Sequence, residues 1–226
     1  GGLDTKRRLL AAEGVVLGEA TRTPPTLWDP GALPNAVKHL RRDAVMRRII
    51  DAVGPCRLER HWTSVFEALC VSVIHQQLAG KAAAAITHRF MALVSPVEPH
   101  AVLAVSDEAY RGVGLSSGKI RSLRAVAEAA VDGRLRLDEV PRMSDDEISK
   151  HLTPVHGIGP WTVQMLLIFH LGRTDVLPVG DLGIRKAMQR VAGLAELPTP
   201  AEMEEMARTW KPWRTPAMWF LWRTLD

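Results

Sequence analysis

Residues 152–181 read LTPVHGIGPWTVQMLLIFHLGRTDVLPVGD. The pattern predicts a helix ending near Leu152, a tight turn through His156-Gly157-Ile158-Gly159, and a second helix that starts at Pro160 and stops at Gly172. Glycine lets the backbone take positive φ and approach a partner closely. Proline suits the first helical position, because its missing N–H would have been unpaired there anyway. The free N–H groups at such a helix start sit at the positive end of the helix dipole and suit a phosphate. Asp181 follows the second helix after a short loop containing proline. A phosphate-holding hairpin with a carboxylate close behind points to chemistry on nucleic acid. Taken alone, a Gly-x-Gly between helices is as readily a plain tight connection.

Working outward, the whole chain has 226 residues, enough to bury a core as one large domain or two small ones. Hydrophobic residues make up 46%, which excludes a disordered chain. No apolar run reaches the roughly 18–20 residues that span a bilayer. No secretory pattern opens the sequence, so the expectation is a monomeric cytoplasmic protein of bacterial type, associated with the nucleoid. The net charge of +4 agrees with a nucleic-acid partner without requiring one. Cys56 and Cys70, the only cysteines, lie among apolar residues and read as free thiols. They cannot supply the set of about four that an iron–sulfur cluster needs. His151 and His156 are five apart and no metal-binding pattern exists, so no catalytic metal is expected.

Periodicity is helical throughout, and the expected fold is all-α with around ten helices. Residues 1–34, with Pro24-Pro25, Pro30, Gly31 and Pro34, read as an extended lead-in. A helical pattern follows from Asn35 through Ile50, and strong helices are expected over 64–79, 82–93 and 117–131. A short one is placed at 106–110, and Ser144-Asp-Asp-Glu147 is a capping box opening a helix to Leu152. Helices over 161–171, 182–191, 201–210 and 215–225 complete the set.

Three further stretches stand out. Ser72-Val-Ile-His-Gln76-Gln77-Leu78-Ala-Gly-Lys joins two helices; taken alone, Leu78 there reads as a core leucine at a helix end, with the glutamines solvated. Gly112-Val-Gly-Leu-Ser-Ser-Gly118-Lys119-Ile-Arg121 puts a small-residue turn before a helix, with Lys119 and Arg121 free for solvent or phosphate. The run from Trp210 to Arg223 is tryptophan-rich, and Trp219 and Trp222 share a helix face.

Together with the hairpin, these motifs resemble the helix-hairpin-helix DNA glycosylase superfamily, and Gly-Ile-Gly-Pro-Trp-Thr matches its 3-methyladenine DNA glycosylase II branch. The resemblance covers about residues 35–226. It implies two helical lobes with a cleft between them: residues 35–62 with 182–226, and residues 63–181 carrying the hairpin at about 144–172. The additional N-terminal β domain of some relatives is not expected. By the same resemblance Leu78 is a wedge with Gln76 and Gln77 beside the opposite strand. Gly157, Gly159, Trp161 and Thr162 hold a DNA phosphate. Trp161, Trp222 and Met165 form the base pocket, where Met165 replaces an aromatic residue found in some relatives. Asp181 is the catalytic carboxylate, and it also fits as the N-cap of the helix from Leu182. Where bifunctional relatives carry a nucleophilic lysine this chain has Trp161, so a hydrolase without lyase activity is expected. No cofactor is required. The backbone carbonyls of Thr153, Val155 and Ile158 are a candidate site for Na⁺ or K⁺. The implied substrate is double-stranded DNA carrying alkylated bases, excised to leave an abasic site. The alternatives are a non-catalytic DNA-binding protein built on the hairpin, or a glycosylase for uracil or oxidised bases.

Overall fold

The computed structural model describes residues 24–78 and 80–225. These form twelve α-helices and two short 3-10 turns; the only β-type pairing among them is a single antiparallel bridge between Thr26 and Arg173. In chain order the helices are α1 (Ala32–Leu40), α2 (Ala44–Val53), α3 (Val65–His75), α4 (Gly80–Leu93), α5 (Pro99–Ala104) and α6 (Asp107–Gly112). They continue as α7 (Ser117–Val131), α8 (Asp145–Leu152), α9 (Pro160–Phe169), α10 (Leu182–Ala192), α11 (Pro200–Met206) and α12 (Arg214–Arg223). Among the described residues no helix is long and apolar enough to cross a membrane.

Two clusters of buried side chains organise these helices. The larger draws its members from Val65 to Val176 and is built around α3, whose residues from Val65 to Ile74 are all buried. A helix apolar on every side belongs in the middle of a core, and α3 packs against α4, α7 and α9. The smaller joins α1 and α2 to residues from Leu177 to Leu221, with α12 packed against α1, α2 and α10.

Several boundaries differ from the sequence expectation. The lead-in was expected to run to residue 34; residues 1–23 lie outside the described part, and α1 already begins at Ala32. Pro34 falls in its first turn, where a missing N–H costs nothing. The helical pattern from Asn35 to Ile50 is two helices, because the Asp43 side chain caps α2 by accepting from the Val45 and Met46 N–H groups. Helix α3 stops at His75, and Gln77 follows with φ 57°. The short α5 was not anticipated, since six residues are too few to show a helical period.

Candidate active-site cleft

A cleft of about 930 Å³ opens between the two clusters, and both contribute to its walls. Helix α9 supplies Trp161, Met165 and Phe169, and α12 supplies Trp219 and Trp222. The α3 residues Val71, Ser72 and His75 also line it, with Leu58, His61 and Trp62 from the segment before α3. Trp222 stacks on Phe169 with ring centroids 5.6 Å apart, so one aromatic wall is shared by the two clusters.

Asp181 lies on this wall, half-buried, at the N-cap of α10. Its Oδ1 accepts from the Ile184 N–H at 2.8 Å and from the Trp222 indole Nε1 at 3.1 Å. Its Oδ2 accepts from the Trp161 Nε1 at 2.7 Å. An ionised carboxylate is acceptor-only and takes all three donors. Glycine at 183 permits the closure: a Cβ there would stand 3.0 Å from Asp181 Oδ1 and 3.3 Å from the Trp222 ring. The chain leading to Asp181 is fastened to the start of α12. Arg214 makes a forked ion pair with Asp175, Nε to Oδ1 at 2.7 Å and Nη2 to Oδ2 at 3.0 Å. The Val176 N–H also donates to Thr215 Oγ1 at 3.0 Å. Carboxylate and Trp222 are thereby held on one scaffold.

The hairpin between α8 and α9 has the expected form, and Ser144 makes the full capping box of α8. Gly157 has φ +88°, while Gly159 is ordinary extended backbone at φ −105° and serves as the N-cap of α9. Having no side chain, Gly159 caps nothing, and the Trp161 and Thr162 N–H groups have no acceptor among the described residues. The two glycines, alike in sequence, do different work. A Cβ on Gly157 would collide with Ser122 of α7 at 2.2 Å, whereas one on Gly159 meets nothing within 4 Å. Thr162 is buried, and its hydroxyl accepts a hydrogen bond from the Gln76 amide.

Gln76 requires a correction. Expected beside Leu78 and facing a DNA strand, its amide instead donates to the Gly157 carbonyl and to Thr162 Oγ1, both at 2.8 Å. Gln76 is a tie between the α3–α4 turn and the hairpin. Lys119 holds the same turn from the other side, donating to the carbonyls of Val73 and Gln76 at 2.8 and 2.9 Å, which closes the C-terminal end of α3. Leu78 and Gln77 are exposed at the tip, Leu78 at the edge of the cleft. Replacing Gln76 by Leu leaves a carbonyl and a buried hydroxyl without their partner, at about 1–3 kcal/mol for an orphaned buried group. Urea denaturation should show this loss of stability; an unchanged midpoint would deny the tie any weight.

Sequence reading brought together Asp181, Trp161, Trp222 and Met165, all of which the structure places around one cleft. It did not find Trp62, Phe169, His75 or the inward turn of Lys119. Trp219 and Trp222 both line the cleft, but only Trp222 touches Asp181. Cys70 is buried and Cys56 half-buried, both free. Burial pushes the Cys56 thiol up to about 11.

An all-helical chain with a glycine-turn hairpin and a carboxylate between tryptophans defines a helix-hairpin-helix protein with a site for chemistry. Residues 70–214 match the family described as HhH-GPD superfamily base excision DNA repair protein, and the chain belongs to that family. It is 37% identical over 188 residues to DNA-3-methyladenine glycosylase 1 of Schizosaccharomyces pombe, covering 80% of this chain and 82% of that protein. The alkylbase DNA glycosidase-like protein mag2 of the same yeast is 30% identical over 195 residues, with 83% and 92% covered. Among solved structures, the S. pombe 3-methyladenine DNA glycosylase Mag1 in complex with abasic DNA superposes with a TM-score of 0.79 at 36% identity, covering 84% of this chain and 96% of that one. A DNA-3-methyladenine glycosidase from Bacillus halodurans gives 0.68 at 32% identity, covering 88% and 91%.

Proposed function

We propose that this protein is a monofunctional DNA glycosylase that extrudes alkylated bases and hydrolyses their N-glycosidic bond, leaving an abasic site for base excision repair. The observation that carries it is Asp181 on the cleft wall, held between the indole N–H groups of Trp161 and Trp222. Capping α10 needs only Oδ1; the bond from Trp161 to Oδ2 serves no cap. A non-catalytic DNA-binding protein would have no use for that second contact.

In this reading the N–H groups at the start of α9 hold a phosphate of the damaged strand. Leu78 enters the stack, offsetting part of the few kcal/mol that extrusion costs. The base lodges in the cleft against the indoles of Trp161 and Trp222, whose electron-rich faces attract the cationic ring of an N-alkylated purine. As the bond from C1′ to the base breaks, its electron pair neutralises the departing ring and positive charge develops on the sugar. The Asp181 carboxylate stabilises that charge. Water adds to C1′ and gives up its proton, for which Asp181 is the nearby base. No amine stands at position 161, so the strand stays intact.

One chain supplies the hairpin, wedge and carboxylate, so a monomer acting on chromosomal DNA suffices. A monovalent cation at the carbonyls of Thr153, Val155 and Ile158 belongs to the same proposal. The Val155 oxygen already accepts the Ile158 N–H at 3.0 Å and would offer its second lone pair.

The test is incubation with duplexes carrying alkylated, deaminated and oxidised bases. Free alkylated base and an abasic strand that breaks only on alkali treatment are expected. No released base, or a borohydride-trappable protein–DNA adduct, would overturn the proposal.

A further inference from the structure

The walls of the cleft offer a flat base mostly aromatic faces, and faces alone do not distinguish one purine edge from another. The polar groups deep in the lining are few. Asp181 is engaged by three donors, and Ser72 Oγ donates to the Ala68 carbonyl at 2.8 Å. The third is His75, the last residue of α3, which lines the cleft together with Leu78, Trp161 and Asp181. Its Nε2 lies 3.1 Å from Thr87 Oγ1 of α4, and its Nδ1 makes no hydrogen bond among the described residues.

The Thr87 contact decides which ring nitrogen carries the proton. Thr87 is buried, and among the described residues its hydroxyl has no partner besides His75. Buried hydroxyl protons are paired, so the hydroxyl donates to Nε2. Nδ1 then carries the hydrogen, because a neutral imidazole has one donor and one acceptor. Burial and the Lys119 ammonium hold the ring below its ordinary pKa, so it is uncharged at neutral pH. An uncharged donor beside a cationic base avoids repulsion.

We propose that His75 is a specificity-determining residue, whose Nδ1–H donates to an acceptor on the edge of the extruded base. This rests on the glycosylase reading above. A donor there favours a purine with a 6-oxo acceptor over one with a 6-amino group, and the Thr87 hydroxyl sets that preference by fixing the tautomer. Met165, buried in the same cleft wall, contributes shape but no hydrogen bond.

The experiment measures single-turnover release of 7-methylguanine and of 3-methyladenine from duplex DNA by wild type, His75→Phe, His75→Gln and Thr87→Val. Binding to an abasic-site duplex is measured alongside. The expected result is that His75→Phe lowers 7-methylguanine release at least tenfold more than 3-methyladenine release. His75→Gln, which keeps a donor, should recover part of that difference, and Thr87→Val should shift the ratio the same way as His75→Phe. Affinity for the abasic duplex should stay within about twofold, since no base is present there to be read. If both lesions fall by one factor, or neither changes, His75 is only structural and the inference is overturned. A wild-type protein that releases no base would sink the glycosylase reading, and the inference with it. An active wild type with unchanged ratios would sink the inference alone.

Discussion

Replacing Asp181 by Asn is expected to abolish most base excision while leaving the fold in place. Asn and Asp are close to equivalent as N-caps, so the bond from the Ile184 N–H at 2.8 Å survives in kind. The change falls on the other side of the group. An amide has one accepting oxygen, so with that oxygen kept at the cap, where Trp222 also donates, the new N–H group takes the place of Oδ2 and meets the indole N–H of Trp161. More important, the negative charge that the proposed mechanism sets against the sugar is gone. Losing one preorganised stabiliser of transition-state charge lowers the rate by about 10²–10³-fold. A loss at or beyond that range is expected here, since among the described residues no second carboxylate lines the cleft. Single-turnover release from an alkylated duplex measures the loss, and thermal denaturation with abasic-duplex binding verifies that fold and affinity remain. Asp181→Ala should add about 1 kcal/mol of destabilisation from the lost cap. Excision that persists undiminished in Asp181→Asn would move the chemistry to another group.

The hairpin and Asp181 could be read from the sequence because their signals are local. Glycine, proline and a capping acid mark backbone geometry within a few residues, and Ser144 to Glu147 marks the helix before it. His75 and Lys119 gave no such signal. The partner that makes His75 informative is a hydroxyl twelve residues away, and the carbonyls that Lys119 caps belong to a different helix. A lysine after a glycine turn looks solvent-facing until the packing of α7 on α3 aims it at a helix end. Gln76 was misplaced for the same reason, because its contacts with Gly157 and Thr162 are more than eighty residues distant. The contact that singles out Trp222 from Trp219 is also non-local: its indole reaches Asp181 across forty-one residues, past Gly183, where a Cβ would stand 3.3 Å from the ring.

Gly157 and Gly159 give the sharpest separation between architecture and recognition, and Gly157→Ala should be among the most damaging single methyl additions in the chain. Its Cβ would lie 2.2 Å from Ser122 Oγ, 2.3 Å from Ser122 Cβ and 3.1 Å from Ser122 Cα. The last atom is backbone, so no side-chain rotation relieves the contact and the hairpin must move off α7. Overpacking of this kind costs about 1–3 kcal/mol, and a non-glycine residue at φ +88° adds roughly 1–2 kcal/mol. At about 2–4 °C per kcal/mol for a chain of this size, Tm should fall by on the order of 10 °C. DNA affinity should fall with it, because the displaced turn carries the N–H groups of α9 away from the phosphate. Adding Ser122→Gly separates the two costs. It removes the Oγ and Cβ contacts but not the strained φ, so stability and affinity should recover in part, measured against Ser122→Gly alone. Gly159→Ala should do the opposite. Its Cβ meets nothing in the protein and its backbone is unstrained, so Tm should hold while the new methyl at the mouth of α9 weakens binding. If Gly157→Ala and Gly159→Ala lower stability equally, the hairpin is not braced on Ser122; if Gly159→Ala binds DNA as wild type does, the phosphate is held somewhere other than the start of α9.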